Sequence, residues 1–215
     1  MTTKLRLLAC SLSLLVIAGC VQLAIDSDTV EVKCSGGLLK NLDVSGFTNL
    51  YYLSCYANRL TNLNVSGCTN LSDLYCYENR LRDLNVSGLS NLHYLYCYGN
   101  HLTNLNVSGC TNLHYLYCSY NQLTNLEISG CTKLQFLYCG NNRLTNLDVS
   151  GCTNPQSLNC SFNLLTDLSS FVSNAAAGGL RTGTIVNVRG NPLSSYAQTN
   201  QVPYLRNKGV NVYWP

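Results

Sequence analysis

Cysteine is the residue type in this sequence with the widest chemistry, and 13 cysteines occur among its 215 residues. Thiolates bind metal ions, and neighbouring thiols form disulfides. A metal site would need cysteines clustered at a spacing such as C-x-x-C, and the sequence contains no such cluster. Seven cysteines instead recur every 21 residues: Cys34, Cys55, Cys76, Cys97, Cys118, Cys139 and Cys160. This spacing predicts one equivalent cysteine in each of a series of structural repeats.

A second series indicates what the repeated cysteine position requires. It consists of Phe47, Cys68, Leu89, Cys110, Cys131 and Cys152. Because Phe and Leu replace Cys in this series, we interpret the cysteines as apolar fillers of a core, a role that free Cys fulfils as a small hydrophobe. Disulfides between neighbouring repeats, and metal binding, are the alternatives.

Histidine and acidic residues are too sparse to form a recognisable active site. His93 and His114 lie one period apart and could share a metal ion. The same position in the other repeats is occupied by Tyr51, Ser72, Gln135 and Gln156. The sequence also contains no G-x-S-x-G motif and no phosphate-binding loop. We therefore predict no catalytic residues, no cofactor and no metal, and we interpret the two histidines as polar surface.

Short strands and turns are the elements that must position these residues. One repeat reads Leu50-x-x-Leu53-x-Cys55-x-x-Asn58-x-Leu60-x-x-Leu63-x-Val65. The pattern starts again at Leu71, Leu92, Leu113, Leu134 and Pro155. The alternations L-x-C and L-x-V predict two short strands per repeat, each with one buried face, separated by turns at Asn58 and at Ser66-Gly67. Stacked repeats would place equivalent strands side by side in parallel.

With an L-x-x-L-x-L-like motif in both halves of the repeat, residues 34–168 resemble bacterial leucine-rich-repeat proteins of the nested 21-residue type. The resemblance implies a right-handed, β-rich leucine-rich-repeat solenoid that binds partners, usually proteins, on the face of its first strand. Cysteine stands here where that family more often has leucine. We expect six repeats after a degenerate first coil, and a small α/β cap over residues 169–215, where the period is lost.

One asparagine also recurs in every repeat. The series is Asn58, Asn79, Asn100, Asn121, Asn142 and Asn163. An Asn side chain carries both donors and an acceptor, so we expect it to satisfy backbone groups at the turn and in the neighbouring coil.

Tyrosines cluster on the predicted outer face of the first strand, where the core does not require them. They are Tyr52, Tyr56, Tyr75, Tyr77, Tyr94, Tyr96, Tyr98, Tyr115, Tyr117 and Tyr138, and the adjoining turns carry Arg59 and Arg80. The series stops at Ser157 and Asn159, although the core pattern continues. Because Tyr and Arg are favoured at interface hot spots, we predict that this face binds a protein. A glycan stacked on the rings, or tyrosines that only stabilise the sheet, are the alternatives.

The first 20 residues have the order of a secretory signal. Basic residues come first, an apolar stretch follows, and small residues precede Cys20. The tetrapeptide Ile17-Ala18-Gly19-Cys20 resembles the bacterial lipobox, which implies cleavage before Cys20 and acyl chains that anchor it to a membrane. We predict a signal peptide over residues 1–19, and a lipidated N-terminus and tether over residues 20–33. Val21 takes the place of an Asp that would resemble an inner-membrane retention signal, so we expect an outer-membrane or cell-surface location.

Charge and hydropathy exclude two further classes of protein. Charged residues make up 11% of the chain and the formal net charge is +3, which is too weak a positive charge for capture of nucleic acid. No apolar run of about 18 residues follows the leader, so the sequence predicts no membrane span there. The prediction is therefore a monomeric, non-enzymatic lipoprotein that binds a protein partner.

Overall fold

The computed structural model describes residues 20–22 and 30–215. The predicted signal peptide and residues 23–29 of the predicted tether lie outside the described residues. The strands are β1 Cys20–Gln22, β2 Glu31–Lys33, β3 Asn41–Asp43, β4 Tyr52–Ser54, β5 Asn62–Asn64, β6 Asp73–Tyr75, β7 Asp83–Asn85, β8 Tyr94–Tyr96, β9 Asn104–Asn106, β10 Tyr115–Tyr117, β11 Phe136–Tyr138, β12 Ser157–Asn159, β13 Ile185–Asn187 and β14 Asn211–Tyr213. The helices are α1 Ser169–Ala176 and α2 Val202–Asn207, and a π-helical turn spans Ala197–Gln201.

The first strands of successive coils form one parallel sheet of nine strands, in the order β2-β4-β6-β8-β10-β11-β12-β13-β14. The register continues without a slip, since Leu53 pairs with Leu74 and Leu74 with Leu95. The opposite side of the coils is less regular, because β1-β3-β5 and β7-β9 form separate sheets. Segments 125–127 and 146–148, which the repeat predicts as strands, are not strands. The predicted leucine-rich-repeat solenoid is confirmed, and its continuous sheet lies on the side of the tyrosines.

The residues that recur fill the interior of every coil. In one repeat Leu50, Leu53, Cys55 and Leu60 are fully buried, and their equivalents along the solenoid are buried as well. Alternate residues of a strand point to opposite faces, so L-x-C turns Leu and Cys inward and the residue between them outward. Burial of each leucine contributes about 1.5–3 kcal/mol. A single repeat has no partner for this apolar face, and the coils therefore stabilise one another.

The repeated asparagine joins each turn to the preceding coil. Asn100 donates from Nδ2 to the carbonyl oxygens of Cys97 (3.1 Å) and Cys76 (3.0 Å). Its Oδ1 accepts the backbone N–H of Leu81 at 3.0 Å. The same donor pattern holds at Asn58, Asn79, Asn121, Asn142, Asn163 and, in the cap, Asn191. The predicted role of this residue is confirmed.

The residue before each of these asparagines has a left-handed backbone. The angle φ lies between +52° and +55° at Ala57, Glu78, Tyr120, Asn141 and Phe162, and is +64° at Gly99. A side chain in this conformation costs about 1–2 kcal/mol, so five of these six turns hold a strained residue. Tight Asn-centred turns in a stack of fixed spacing over-determine the backbone and keep it there.

A pair of substitutions at this turn should therefore have effects of opposite sign. We expect Gly99→Ala to lower the free energy of unfolding by about 1 kcal/mol, and Ala57→Gly to raise it by a similar amount. An added Cβ at Gly99 would meet Glu78 at 3.5 Å, an ordinary contact, so the loss would come from the backbone. Urea denaturation of the two variants measures both effects, and a loss of stability in both would contradict this explanation.

The N-terminal edge of the sheet lies ahead of residue 34, where the sequence analysis begins the solenoid. Val32 of β2 pairs with Leu53 of β4 and is buried, so a strand occupies the end of the predicted tether. The backbone of β1 pairs with β3 as well. Cys34, expected in the core, is only half-buried, because its coil has few neighbours on the N-terminal side.

The C-terminal segment continues the sheet and covers its end. β13 pairs with β12 and β14 pairs with β13, while Phe171 of α1 packs into the core. Arg206 of α2 donates to the outward carbonyl oxygen of Val212 at 3.0 Å, which occupies part of the open edge of β14. Within the described ranges, neither helix nor the π-helical turn has the length and apolar character that crossing a membrane requires.

Candidate partner-binding face

Eleven aromatic side chains form three columns on the outer side of the nine-stranded sheet. The first column is Tyr52, Tyr94, Tyr115 and Phe136, at the first residue of the strand, with Asp73 between Tyr52 and Tyr94. The second column is Tyr75, Tyr96, Tyr117 and Tyr138, at the third residue. The third column is Tyr56, Tyr77 and Tyr98, directly after the buried cysteine. We call these eleven residues the tyrosine face; all are half-buried, and the ten predicted tyrosines lie together in it.

The second column is a continuous stack of four rings. Tyr75 and Tyr96 have ring centroids 5.0 Å apart with planes inclined by 33°. The next two pairs, Tyr96–Tyr117 and Tyr117–Tyr138, are 4.4 and 4.5 Å apart with planes within 9° of parallel. The strand spacing of about 4.8 Å sets these distances, because equivalent residues of in-register parallel strands repeat at that interval.

The two flanking columns stack in the same way. Tyr94, Tyr115 and Phe136 follow one another at 4.7 Å, and Tyr56, Tyr77 and Tyr98 follow at 4.5 and 4.6 Å. Where Asp73 interrupts the first column, Tyr52 instead reaches Tyr75 in the second, with centroids 5.4 Å apart. The face is therefore one connected aromatic surface.

Stacking decides which part of each ring a ligand could touch. Inside a column, both π-faces of a ring are covered by the rings before and after it. Only ring edges and hydroxyl groups remain for outside contacts, and ring faces are open only where a column ends. Aromatic pairs of this kind stabilise a fold by about 0.5–1.5 kcal/mol beyond area burial, so the columns also contribute to the sheet.

The phenols of the face are held in their neutral form. Burial raises the pKa of Tyr75, Tyr77 and Tyr117 to about 12, and the charge of Asp73 adds to the effect at Tyr75. A neutral phenol both donates and accepts a hydrogen bond. The tyrosine face thus presents uncharged hydroxyls on a rigid support at any physiological pH.

The two predicted arginines lie beside the face and not on it. Arg59 and Arg80 are exposed on the turns that follow the strands. The cation that lies over a ring of the face is Lys33, whose Nζ is 5.0 Å from the centroid of Tyr52. The sequence analysis missed Lys33 because it precedes the first complete repeat.

The two repeated histidines stack like the tyrosines. His93 and His114 have ring centroids 5.3 Å apart and planes 9° from parallel. The Nδ1–H groups donate to the carbonyl oxygens of Asn91 (2.7 Å) and Asn112 (2.6 Å), which turns both Nε2 atoms outward along parallel directions. Parallel imidazoles do not converge on one ion. Among the described residues, no group of three His, Cys, Asp or Glu could hold a metal.

Ten cysteines between Cys55 and Cys160 are buried free thiols. Burial raises the pKa of Cys76, Cys118 and Cys160 to about 12, so the reactive thiolate is scarce at neutral pH. These cysteines fill the core, as the sequence predicts, and the disulfide alternative does not apply to them.

The folded protein should accordingly conceal its thiols. At pH 8 we expect the ten buried thiols to react with Ellman's reagent at least 100-fold more slowly than the same thiols in 6 M guanidinium chloride, because both access and ionisation are lost on folding. Absorbance at 412 nm follows the reaction, and Cys34 provides an internal reference for a less buried thiol. Rapid reaction of several thiols in the native protein would contradict their placement in the core.

Comparison with known proteins agrees with this geometry. The profile of the family described as Leucine Rich repeats (2 copies) matches residues 90–131 and 132–173. A leucine-rich-repeat protein of Leptospira interrogans superposes with a TM-score of 0.72 at 25% identity, over 86% of this chain and 48% of that one. The leucine-rich-repeat domain of a Shigella effector gives 0.66 at 25% identity, over 86% and 81% of the two chains. No significant match to a curated protein was found.

A third similar structure shares the unusual cysteines. It is the functional domain of InlJ from Listeria monocytogenes, described as including a cysteine ladder, with a TM-score of 0.57 at 29% identity. The match covers 78% of this chain and 40% of that one, so the chain spans about half the length, or less, of the Leptospira and Listeria proteins. Leucine-rich repeats generally serve as non-enzymatic scaffolds for protein interaction. From its repeats, its coil geometry and these matches, the chain is a leucine-rich-repeat protein of the bacterial 21-residue type.

Proposed function

We propose that the protein is a lipid-anchored surface protein that binds a protein partner through the tyrosine face. The observation that carries this proposal is the aromatic asymmetry of the solenoid. One side bears three connected columns of aromatic rings, whereas the equivalent residues of the second half of the coil are small and polar, as at Asn62, Asp83 and Asn104.

The limits of the tyrosine face support binding over a purely structural role. The coil at β12 keeps a fully buried Leu158 and Cys160, yet its outer residues are Ser157 and Asn159. A coil of this solenoid therefore packs without outer aromatic side chains. Rigid tyrosines supply contact area at low entropic cost, which favours them at interfaces.

The orientation of the rings favours a protein over a glycan. Sugars bind aromatic side chains by stacking on an exposed ring face, and within the columns those faces are covered by neighbouring rings. Ring edges and neutral hydroxyls suit the mixed apolar and hydrogen-bonding contacts of a protein interface. Glycan binding would be restricted to the ends of the columns.

The N-terminal motif supports the membrane anchor, with Cys20 as the acylated residue. We expect Cys20→Ser to abolish incorporation of radiolabelled palmitate in a bacterial host and to release the protein from the membrane fraction, because the acyl chains are the anchor. Cys10→Ser, a matched change within the predicted signal peptide, should leave labelling intact. Equal labelling of the wild-type chain and the Cys20 variant would refute lipidation at this residue.

Capture of a partner tests the binding proposal. The purified full chain would be used as bait for surface proteins and on a glycan array, beside a variant with Tyr75, Tyr96, Tyr117 and Tyr138 all changed to Ser. The control changes Tyr120 and Tyr196, which are 65% and 63% exposed outside the tyrosine face, to Ser. We expect a partner protein that the wild type and the control retain and the fourfold variant loses by at least 100-fold in affinity. Retention by the folded fourfold variant would overturn the proposal.

A further inference from the structure

The first aromatic column has a gap at its C-terminal end. Phe136, Ser157 and Ile185 are paired in register on the adjacent strands β11, β12 and β13. The serine between the two large side chains is only 9% exposed, whereas Ile185 is 39% exposed although it lies within the sheet. A slot one strand wide therefore separates Phe136 from Ile185, with Ser157 at its base.

The width of this slot matches one aromatic ring. Strands lie about 4.8 Å apart, so a ring placed above Ser157 would be about 4.8 Å from the rings and side chains on either side. That is the stacking distance already present in the column, where Tyr115 and Phe136 lie 4.7 Å apart with planes inclined by 6°. Tyr115 covers one face of Phe136, and the other face is turned toward the slot.

The slot forms part of a depression of about 490 Å³, within the usual range for ligand sites. Phe136, Tyr138 and Ile185 supply apolar walls, and the buried Pro155 lies beside the base. The mixture of apolar walls and a few polar groups at the rim is typical of a site that binds a ring and orients its substituents.

The rim adds a positive charge. Among the described residues that line the depression, Arg181 alone is charged. Its guanidinium donates to Oδ1 of Asn154, and its backbone N–H donates to Oγ1 of Thr184 at 3.2 Å, so it is held at this rim. A guanidinium carries five N–H donors and pairs well with a carboxylate.

We infer that this slot binds one aromatic side chain of the protein partner, with a carboxylate beside it that pairs with Arg181. The bound ring extends the first column by one position, on the open face of Phe136. The identity of the occupant as a partner side chain rests on the proposed function, whereas affinity of the slot for a planar ring does not.

Three small probes test the chemistry of the slot. They are 4-hydroxyphenylacetate, the neutral 4-hydroxyphenylacetamide and the non-planar cyclohexylacetate, titrated into the full chain and followed by saturation-transfer NMR. We expect millimolar dissociation constants for the two aromatic probes, with the carboxylate at least threefold tighter and cyclohexylacetate at least tenfold weaker. Equal binding of all three probes would overturn the inference.

Variants place the probe in the slot. Ser157→Tyr fills the gap with a ring of this chain and should abolish probe binding, whereas Ser157→Ala should retain it. Arg181→Gln should remove the preference for the carboxylate and leave the amide unaffected. If Ser157→Tyr does not fold, Ile185→Ser removes one wall and should weaken both aromatic probes at least fivefold. Unchanged probe binding in Ser157→Tyr or, failing that, in Ile185→Ser contradicts the assignment.

The partner assay separates this inference from the proposed function. If Ser157→Tyr captures the partner as well as the wild type does, the slot has no part in recognition and the inference fails, while the tyrosine face can still be the interface. If the fourfold Tyr-to-Ser variant also captures the partner fully, the proposed function fails, whatever the slot binds. We expect Ser157→Tyr to reduce partner affinity at least tenfold.

Discussion

Replacement of Asn100 by alanine is expected to lower the free energy of unfolding by about 3 kcal/mol, because each buried polar group left unpaired costs about 1–3 kcal/mol. The side chain is 5% exposed. Its loss leaves the backbone N–H of Leu81 and the carbonyl oxygens of Cys76 and Cys97 without this partner. Native stability is typically 5–15 kcal/mol, so the change removes a large share of it. Urea denaturation followed by circular dichroism measures the loss.

Two further variants test this explanation of the asparagine ladder. Asn104→Ala changes an exposed asparagine whose amide donates to Oδ1 of Asp83, and should cost less than about 1 kcal/mol. Asn100→Asp keeps the acceptor for Leu81 but replaces the amide donor by an oxygen that faces carbonyl oxygens, and should be at least as damaging as alanine. A mild effect of Asn100→Ala, similar to that of Asn104→Ala, would contradict the account.

Replacement of Tyr75, Tyr96, Tyr117 and Tyr138 by Phe should weaken partner binding at least tenfold with little effect on the fold. Phenylalanine keeps the stacked rings, so the free energy of unfolding should stay within about 1 kcal/mol of the wild-type value. The hydroxyls are what the buried ring faces leave for contact, and loss of hydrogen bonds worth about 0.5–1.5 kcal/mol each is enough for a tenfold change. Calorimetric titration with the captured partner measures the affinity.

The controls for this variant separate recognition from support of the sheet. Tyr120→Phe combined with Tyr196→Phe removes two exposed hydroxyls outside the tyrosine face and should leave affinity unchanged. The fourfold Tyr-to-Ser variant should lose both affinity and stability, since it also removes the ring stacks. If the fourfold Phe variant binds like the wild type and the Ser variant also binds, the tyrosines serve the sheet alone.

Periodicity made most of the solenoid predictable. A residue type that recurs every 21 positions must meet the same environment each time, so buried Leu and Cys, the turn asparagine and the outward tyrosines could all be assigned from spacing. The resemblance to leucine-rich repeats added the handedness and the parallel sheet. Substitution of Phe47 and Leu89 into a cysteine series was enough to identify the thiols as core residues, as their burial confirms.

The features that the sequence analysis missed all involve a break in the period. Ile185 lies beside Ser157 in the sheet but 28 residues later in the chain, so a 21-residue comparison cannot align them. Lys33 reaches Tyr52 from the degenerate first coil for the same reason. The covering of one ring face by the next depends on side-chain torsions, which residue spacing does not determine.

Hydroxyl-radical footprinting of the full chain, with and without the captured partner, tests most directly whether the tyrosine face is the interface. Mass spectrometry would compare oxidation of Tyr96 and Tyr117, inside the face, with that of Tyr120 and Tyr196, outside it. Our account predicts that the partner reduces oxidation of the first pair at least fivefold and leaves the second pair unchanged. Protection of Tyr120 or Tyr196 with unaltered oxidation across the tyrosine face would place the interface elsewhere and contradict the account.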